Sequence, residues 1–330
     1  MRWRLLTLLT IMTLTGSRSK AEAVLYSFPP CGAVDLRAAD EATLLRCLAP
    51  VFSVDDGARS FNRIGAPSIE IRNGREHVFV DPDVHLLYAE SRHDRIGSVD
   101  VIHLVYRIHF TLLPFTWRVF YERHRNAGLV SIVTVDAVNH EPLFFTTVYS
   151  CGCYRALLPT RSLPREVLPD HWPSDVKKVW GKPMPAFMEP MRPGARYLVA
   201  MDSRTHRVHD MRVVDVGAET AQRLELRPME GLRHLTVAGG GESSFFYPSG
   251  LRKGHVKGAW SPIEGLTFGL LILDPMIGSD KDFGDPSVTG TRFYTMLLPW
   301  DKNVSRLDVF EPLLRKMKFH PERMTGAIWR

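Results

Sequence analysis

Alternation between apolar and polar positions is the dominant pattern of this chain, and it is clearest from Val101 to Phe110 (VIHLVYRIHF). Ile102, Leu104, Tyr106, Ile108 and Phe110 are apolar or aromatic, whereas His103, Arg107 and His109 mark the other parity around Val105. A period of two sends these sets to opposite faces of a β-strand. The pattern predicts a half-buried strand, with the even positions on the core and His103, Arg107 and His109 facing solvent or a cleft. LVSIVTVDA (129–137) and LFFTTVYS (143–150) follow in the same style across the polar break VNHEP. Together they predict an antiparallel meander of at least three strands.

The pattern extends in both directions. FNRIGAPSIEI (61–71) and EHVFVDP (76–82) flank Asn73-Gly74, a dipeptide suited to a two-residue hairpin turn. HLLYAES (85–91) is a further strand, and HDRIGSVD (93–100) turns the chain into the Val101 stretch. Later, ARYLVAMDS, HDMRVVDVG and AQRLELRP read as strands, as do the more apolar GLTFGLLILDP and TRFYTMLLPW. The glycine-rich VAGGGESSFFYPSG and LRKGHVKGAW between them read as irregular. Helical spacing appears at two places. Asp35–Leu48 groups Leu44, Leu45, Cys47 and Leu48 before Pro50, and Ser305–Phe319 aligns Leu307, Phe310, Leu314 and Met317. In the second, Ser305 and Asp308 have capping-box spacing, and Pro312 marks a kink or a later start.

Residues 159–193 hold eight of the 23 prolines, with SDVKKVWG (174–181) as a short helix capped by Ser174. This segment reads as a domain boundary or a wrapping arm. The expected fold is α+β, predominantly antiparallel sheet with a helix near each end of the mature chain. The expected division is a sheet domain over 24–158, a connector over 159–193 and a second β-rich region over 194–330, or one continuous domain.

The N-terminus changes the charge picture. Arg2 and Arg4 precede a short apolar run, Leu5–Leu14, and Ala21-Glu22-Ala23 offers small residues at a cleavage site. Residues 1–23 therefore read as a secretory signal peptide with Val24 as the first mature residue. The run is well short of the roughly 20 residues that span a bilayer. Removal takes four basic residues (Arg2, Arg4, Arg18, Lys20) and one acid (Glu22), so the formal net charge falls from +6 to +3. A nucleic-acid partner loses its electrostatic footing. The segment Ile263–Ile277 is broken by Glu264, Gly265, Gly269 and Asp274, so no transmembrane span is expected after signal cleavage. These features imply a periplasmic or secreted protein, with an envelope component or a small ligand as partner.

Export favours disulfides, and Cys31 with Cys47 closes a loop of 17 residues. Cys151-Gly152-Cys153 forms either a small, easily reduced ring or a thiol pair, with Arg155 and His140 as candidates to stabilise a thiolate. Imidazole and thiolate also suit zinc or copper, which makes His103, His109, Cys151 and Cys153 candidate metal ligands. Six strand residues separate the two histidines by roughly 20 Å, so one histidine with both cysteines is the more compact set. SDKDFGD (279–285) resembles a calcium loop only loosely, because the twelfth position from Asp280 is Thr291 rather than Glu. Neither a phosphate-binding glycine motif nor a G-x-S-x-G elbow occurs in AGGGESS, where Ser243 and Ser244 stand.

Two classes of function remain. The first is a non-catalytic exported binding protein, with Arg107 and the aromatic, basic segment FTWRVFYERHR (Trp117, Arg118) as its surface. The second is a metal- or thiol-dependent enzyme working through His103 to Cys153. The second lacks a complete constellation, so the first is the expectation.

Overall fold

The structure is a computed structural model that describes residues 22–29, 31, 34–114, 124–152, 154–179, 181–192, 194–215, 221–260, 263, 266, 278–283 and 310–325. The N-terminal half contributes β1 (Val24–Ser27), α1 (Glu41–Cys47), β2 (Val51–Val54), β3 (Ala66–Arg72), β4 (Arg75–Asp81), β5 (Leu86–Ile96), β6 (Val99–Leu112), β7 (Arg125–Asp136), β8 (Pro142–Tyr149) and β9 (Ala156–Pro159). Next come β10 (Val176–Val179), β11 (Lys182–Pro185), β12 (Ala195–Met201), β13 (Val208–Asp215), β14 (Gln222–Arg223) and β15 (Glu225–Pro228). The last elements are β16 (Leu235–Ala238), β17 (Glu242–Ser243) and α2 (Phe310–Lys316).

The predicted meander is the centre of a six-stranded sheet ordered β15-β5-β6-β7-β8-β9. β6 and β7 pair without a register shift from Val101↔Asp136 to Phe110↔Ala127. The even residues of β6 pack with Tyr26, Phe52, Tyr197 and Val199, which belong to a second, five-stranded sheet ordered β13-β12-β2-β1-β14. Each such buried large side chain contributes about 1.5–3 kcal/mol. The Asn73-Gly74 turn closes β3 on β4, with both residues at positive φ (53° and 72°), as a two-residue hairpin of this hand requires. HDRIGSVD is mostly strand rather than turn, because β5 runs on to Ile96 and only Gly97 and Ser98 reverse the chain.

Three expectations need correction. The sheets are mixed: β1–β14, β12–β2, β15–β5 and β16–β3 are parallel pairs. Each joins strands far apart in the chain, where no tight turn enforces an antiparallel return. The strands beyond the proline-rich segment thus come back to those before it. SDVKKVWG is not helical. Val176–Val179 pairs antiparallel with Lys182–Pro185, because so short a helix is marginal alone while the β-branched valines suit a ribbon. Helices α1 and α2 are short, and α1 follows strand β1 rather than opening the fold; it starts at Glu41 because the Asp40 carboxylate caps Thr43 N at 2.8 Å. The Ser305–Asp308 pair, GLTFGLLILDP and TRFYTMLLPW lie outside the described residues, apart from the single position Leu266. Among the described residues no helix is long and apolar enough to cross a membrane.

Candidate functional site

The odd face of β6 is neither solvent-facing nor an open cleft. His103, Arg107 and His109 are 0%, 2% and 0% exposed. The C-terminal part of the chain covers them. Val101 packs under α2 with Phe310 and Leu314, and Val105 packs with Phe283. His103 is fully engaged: Nδ1 meets Thr134 Oγ1 at 2.9 Å and Nε2 meets Asp94 Oδ2 at 3.2 Å. The same Asp94 oxygen accepts Phe310 N at 3.1 Å, tying His103 to the start of α2.

Arg107 donates from Nη1 to Lys281 O at 2.8 Å and faces the Phe246 ring at 5.4 Å. Burial lowers its pKa from 12.5, opposed by the charges of Asp280, Asp282 and Glu90. His109 sits edge-on between Tyr88 and Phe245, and neither ring nitrogen has a hydrogen-bond partner among the described residues. Burial, with the Arg107 charge second, holds its pKa well below 6.5, so the ring is neutral. Opposite His109 stands Gly128, where an added Cβ would lie 2.2 Å from Ser150 Oγ and 3.3 Å from Asp280 Oδ2. The glycine is required by that close approach. The described part of SDKDFGD is buried, with Asp280 and Asp282 1% and 7% exposed. Asp282 binds Arg233 at 2.9 Å, and Asp280 faces His124 at 3.4 Å.

The cysteine expectations divide. Cys31 and Cys47 are disulfide-bonded, as their spacing predicts. Cys151 is also held in a disulfide and carries no thiolate for a metal or a redox partner, while Cys153 lies outside the described residues. Ser150 N bonds Gly128 O at 2.9 Å, so Cys151 lies at the His109 end of the sheet and His103 at the far end. His140 precedes β8 and Cys151 follows it, so the full strand separates them. Among the described residues no group of three or more His, Cys, Asp or Glu side chains is placed to hold a metal ion. Trp117 and Arg118 lie outside the described residues, within a stretch bracketed by the Leu113 N–His124 O hydrogen bond of 2.8 Å.

Two clefts lined by described residues are open to solvent. The first, about 330 Å³, is walled by Cys31 and Cys47, Leu36, Met191 and Tyr197. Arg196 builds its rear by donating to the carbonyls of Arg46 and Cys47, both at 2.8 Å, and of Pro29 at 2.7 Å. That guanidinium satisfies the orphan carbonyls at the end of α1 and holds the disulfide-closed arm. The Tyr197 hydroxyl is buried without a partner among the described residues, and burial, followed by the Glu141 charge, raises its pKa.

The second cleft, about 570 Å³, lies between β4 and residues 243–258, with Glu76, Arg125, Ser243, Tyr247 and Lys257 in its wall. Lys257 Nζ donates to Glu76 Oε2 at 2.6 Å and to Ser243 Oγ at 3.0 Å, and Ser243 Oγ donates to Glu76 Oε1 at 2.6 Å. The hydrogen bonds to Glu76, that of Lys257 first, hold its carboxyl below the usual carboxylate range. The serine is thus clasped rather than primed, because a Nζ acting as donor has no lone pair to accept its proton. No local signal marks this site, since Glu76 and Lys257 are 181 residues apart. No protein-family model, curated protein or solved structure matches the chain.

Proposed function

We propose that this chain is an exported protein, periplasmic or secreted, that binds a small ligand or an envelope partner without transforming it. The observation that carries the reading is the sealing of β6. His103, Arg107 and His109 are at most 2% exposed, and Cys151 is already bonded, so the side chains suited to catalysis are out of reach of a substrate. The cleft beside the Cys31–Cys47 bridge is a ready ligand site. Its volume falls in the range of small-molecule pockets, and it combines the apolar walls of Leu36 and Met191 with the accessible polar side chains of Arg37, His140 and Glu141. Processing after Ala23 fits the fold, because Glu22 and Ala23 are exposed and strand pairing begins at Val24↔Val54.

The reading is tested on the full chain, expressed with its leader and purified without a histidine tag. N-terminal sequencing of the exported form is expected to begin Val-Leu-Tyr-Ser. Elemental analysis is expected to find no stoichiometric zinc or copper, and a thiol count under denaturing, non-reducing conditions no free sulfhydryl. An intact Met1 in the membrane fraction would overturn the export reading. One equivalent of metal, or a reactive thiol pair, would turn the case toward the metal- or thiol-dependent enzyme.

A further inference from the structure

We propose that the cleft between β4 and residues 243–258 binds an organic anion: a small molecule bearing a carboxylate or phosphate group on a flat, apolar body. This assignment is independent of the cleft beside the disulfide.

The charge balance of the wall points to an anion. Lys257 is neutralised by Glu76 at 2.6 Å, and His77 is hydrogen-bonded to Glu70 at 3.0 Å. Arg125 is different. It is exposed, lines the cleft, and has no hydrogen bond or ion pair among the described residues. Behind the wall, Arg252 stacks 5.6 Å from the Tyr247 ring and 5.7 Å from Trp260 and meets no carboxylate among the described residues. One guanidinium charge is therefore left over at the concave surface itself, with that of Arg252 behind it, and in a cleft such like charges attract counter-charge. Guanidinium is also the side chain whose paired N–H donors match carboxylate and phosphate oxygens.

The remaining wall suits the body of such a ligand. Tyr247, Pro248 and Val78 offer an aromatic face and apolar edges, and the volume of about 570 Å³ is that of an ordinary small-molecule site. The walls are also held in place before any ligand arrives. Asn126 is 1% exposed, and its side-chain amide donates to Val78 O at 3.2 Å and to Lys257 O at 2.9 Å, stapling β4 to the opposite wall. The Glu76–Lys257–Ser243 clasp makes the same connection a second time, from side chains. A site whose walls are fixed loses less entropy on binding.

The test uses the exported full chain, titrated at low ionic strength with benzoate, phenyl phosphate and neutral benzamide by calorimetry and amide chemical shifts. At least one anion is expected to bind about tenfold or more tightly than benzamide, and to shift the signals of Tyr247, Lys257 and Gly258. Preference between the two anions assigns the head group. Arg125→Ala should cost about tenfold or more, with partial recovery in Arg125→Lys and weakening by added salt. Because Arg125 is exposed, these variants are expected to fold, which a matching thermal midpoint confirms. Equal affinity for benzamide, silence of those signals at millimolar anion, or an unchanged Arg125→Ala would overturn the proposal. None of these failures touches the reading of β6 as sealed, which rests on burial elsewhere.

Discussion

Arg107→Met tests whether the polar face of β6 is a strut or an active site. Methionine roughly preserves length and volume, so the cavity contribution is small and the change reports the charge. In the native protein the guanidinium is 2% exposed, gives one hydrogen bond to Lys281 O at 2.8 Å, and faces the fields of Asp280, Asp282 and Glu90. Losing a hydrogen bond from a charged donor costs about 1.5–3 kcal/mol. The carboxylate of Asp280 compounds the loss, because Oδ2 is buried with no hydrogen-bond partner and would lose the cation that offsets its charge. Offsetting this, Nε and Nη2 of Arg107 are buried with no hydrogen-bond partner among the described residues, and methionine removes that penalty, so the net loss expected is about 1.5–3 kcal/mol. Against a total stability of about 5–15 kcal/mol, that is a large fraction.

Urea unfolding followed by tryptophan fluorescence should therefore show a lower midpoint for Arg107→Met, with the slope unchanged. Arg107→Lys should fall between, keeping the charge and losing the planar fork. A variant within about 1 kcal/mol of wild type would refute the claim that this cation balances the carboxylates beneath the C-terminal segment. Ligand binding at either cleft should survive wherever the variant is folded. A folded, stable Arg107→Met that has lost binding would show that a ligand reaches β6, and that its polar face is no mere strut.

Acid should destabilise the fold through its neutral histidines. His206, stacked on Phe110 at 4.0 Å, is pushed down to about 3 by burial, and His109 is held well below 6.5. Both bind protons more readily when unfolded. Their contribution is complete above about pH 6.5 and is lost as pH falls toward 3, by up to about 1.4 kcal/mol per pH unit for each ring. Urea midpoints between pH 7.5 and 4.5 check this, His206→Gln should flatten the slope, and a pH-independent midpoint would count against it. Replacing Cys31 and Cys47 together by serine should cost roughly 3 kcal/mol, read as a lower thermal midpoint. Non-reducing peptide mapping should recover the Cys31–Cys47 pair from the native chain, and free sulfurs at both positions would contradict the bridge.

Strand content is legible because it is written locally. Period-two alternation sets the parity of β6, and Asn73-Gly74 announces its own turn. The assignment of faces fails for a physical reason. A polar stripe on a strand points outward only if the rest of the chain leaves it exposed, and nothing within β6 reports that Lys281, 174 residues later, supplies the carbonyl Arg107 needs. His103 shows the same blindness, since its partner Asp94 gains its second role only when Phe310 N arrives from the far end of the chain. SDVKKVWG misleads in the other direction. Helical spacing over eight residues carries too little free energy to resist pairing with Lys182–Pro185.

Reactive residue types and reachable surface are separated in this fold. The residues that draw attention in sequence include two histidines and an arginine on one parity, and those three are buried under the C-terminal segment. The residues left with unused capacity are ones that sequence alone would pass over. Tyr197 lies in an apolar strand and Arg125 at the end of a basic run. The Tyr197 hydroxyl is buried without a partner, and Arg125 has no counter-charge among the described residues. The two differ in what they do to the ligand-free fold. An unpaired buried hydroxyl costs about 1–3 kcal/mol, whereas an exposed guanidinium without a partner costs almost nothing. Tyr197→Phe removes the hydroxyl and keeps the ring, so it should raise the thermal midpoint of the free protein by the equivalent of about 1 kcal/mol or more. Arg125→Ala should leave that midpoint within the equivalent of about 0.5 kcal/mol. A Tyr197→Phe variant less stable than wild type would mean that the hydroxyl already has a partner in solution, and the cost assigned to it would be refuted.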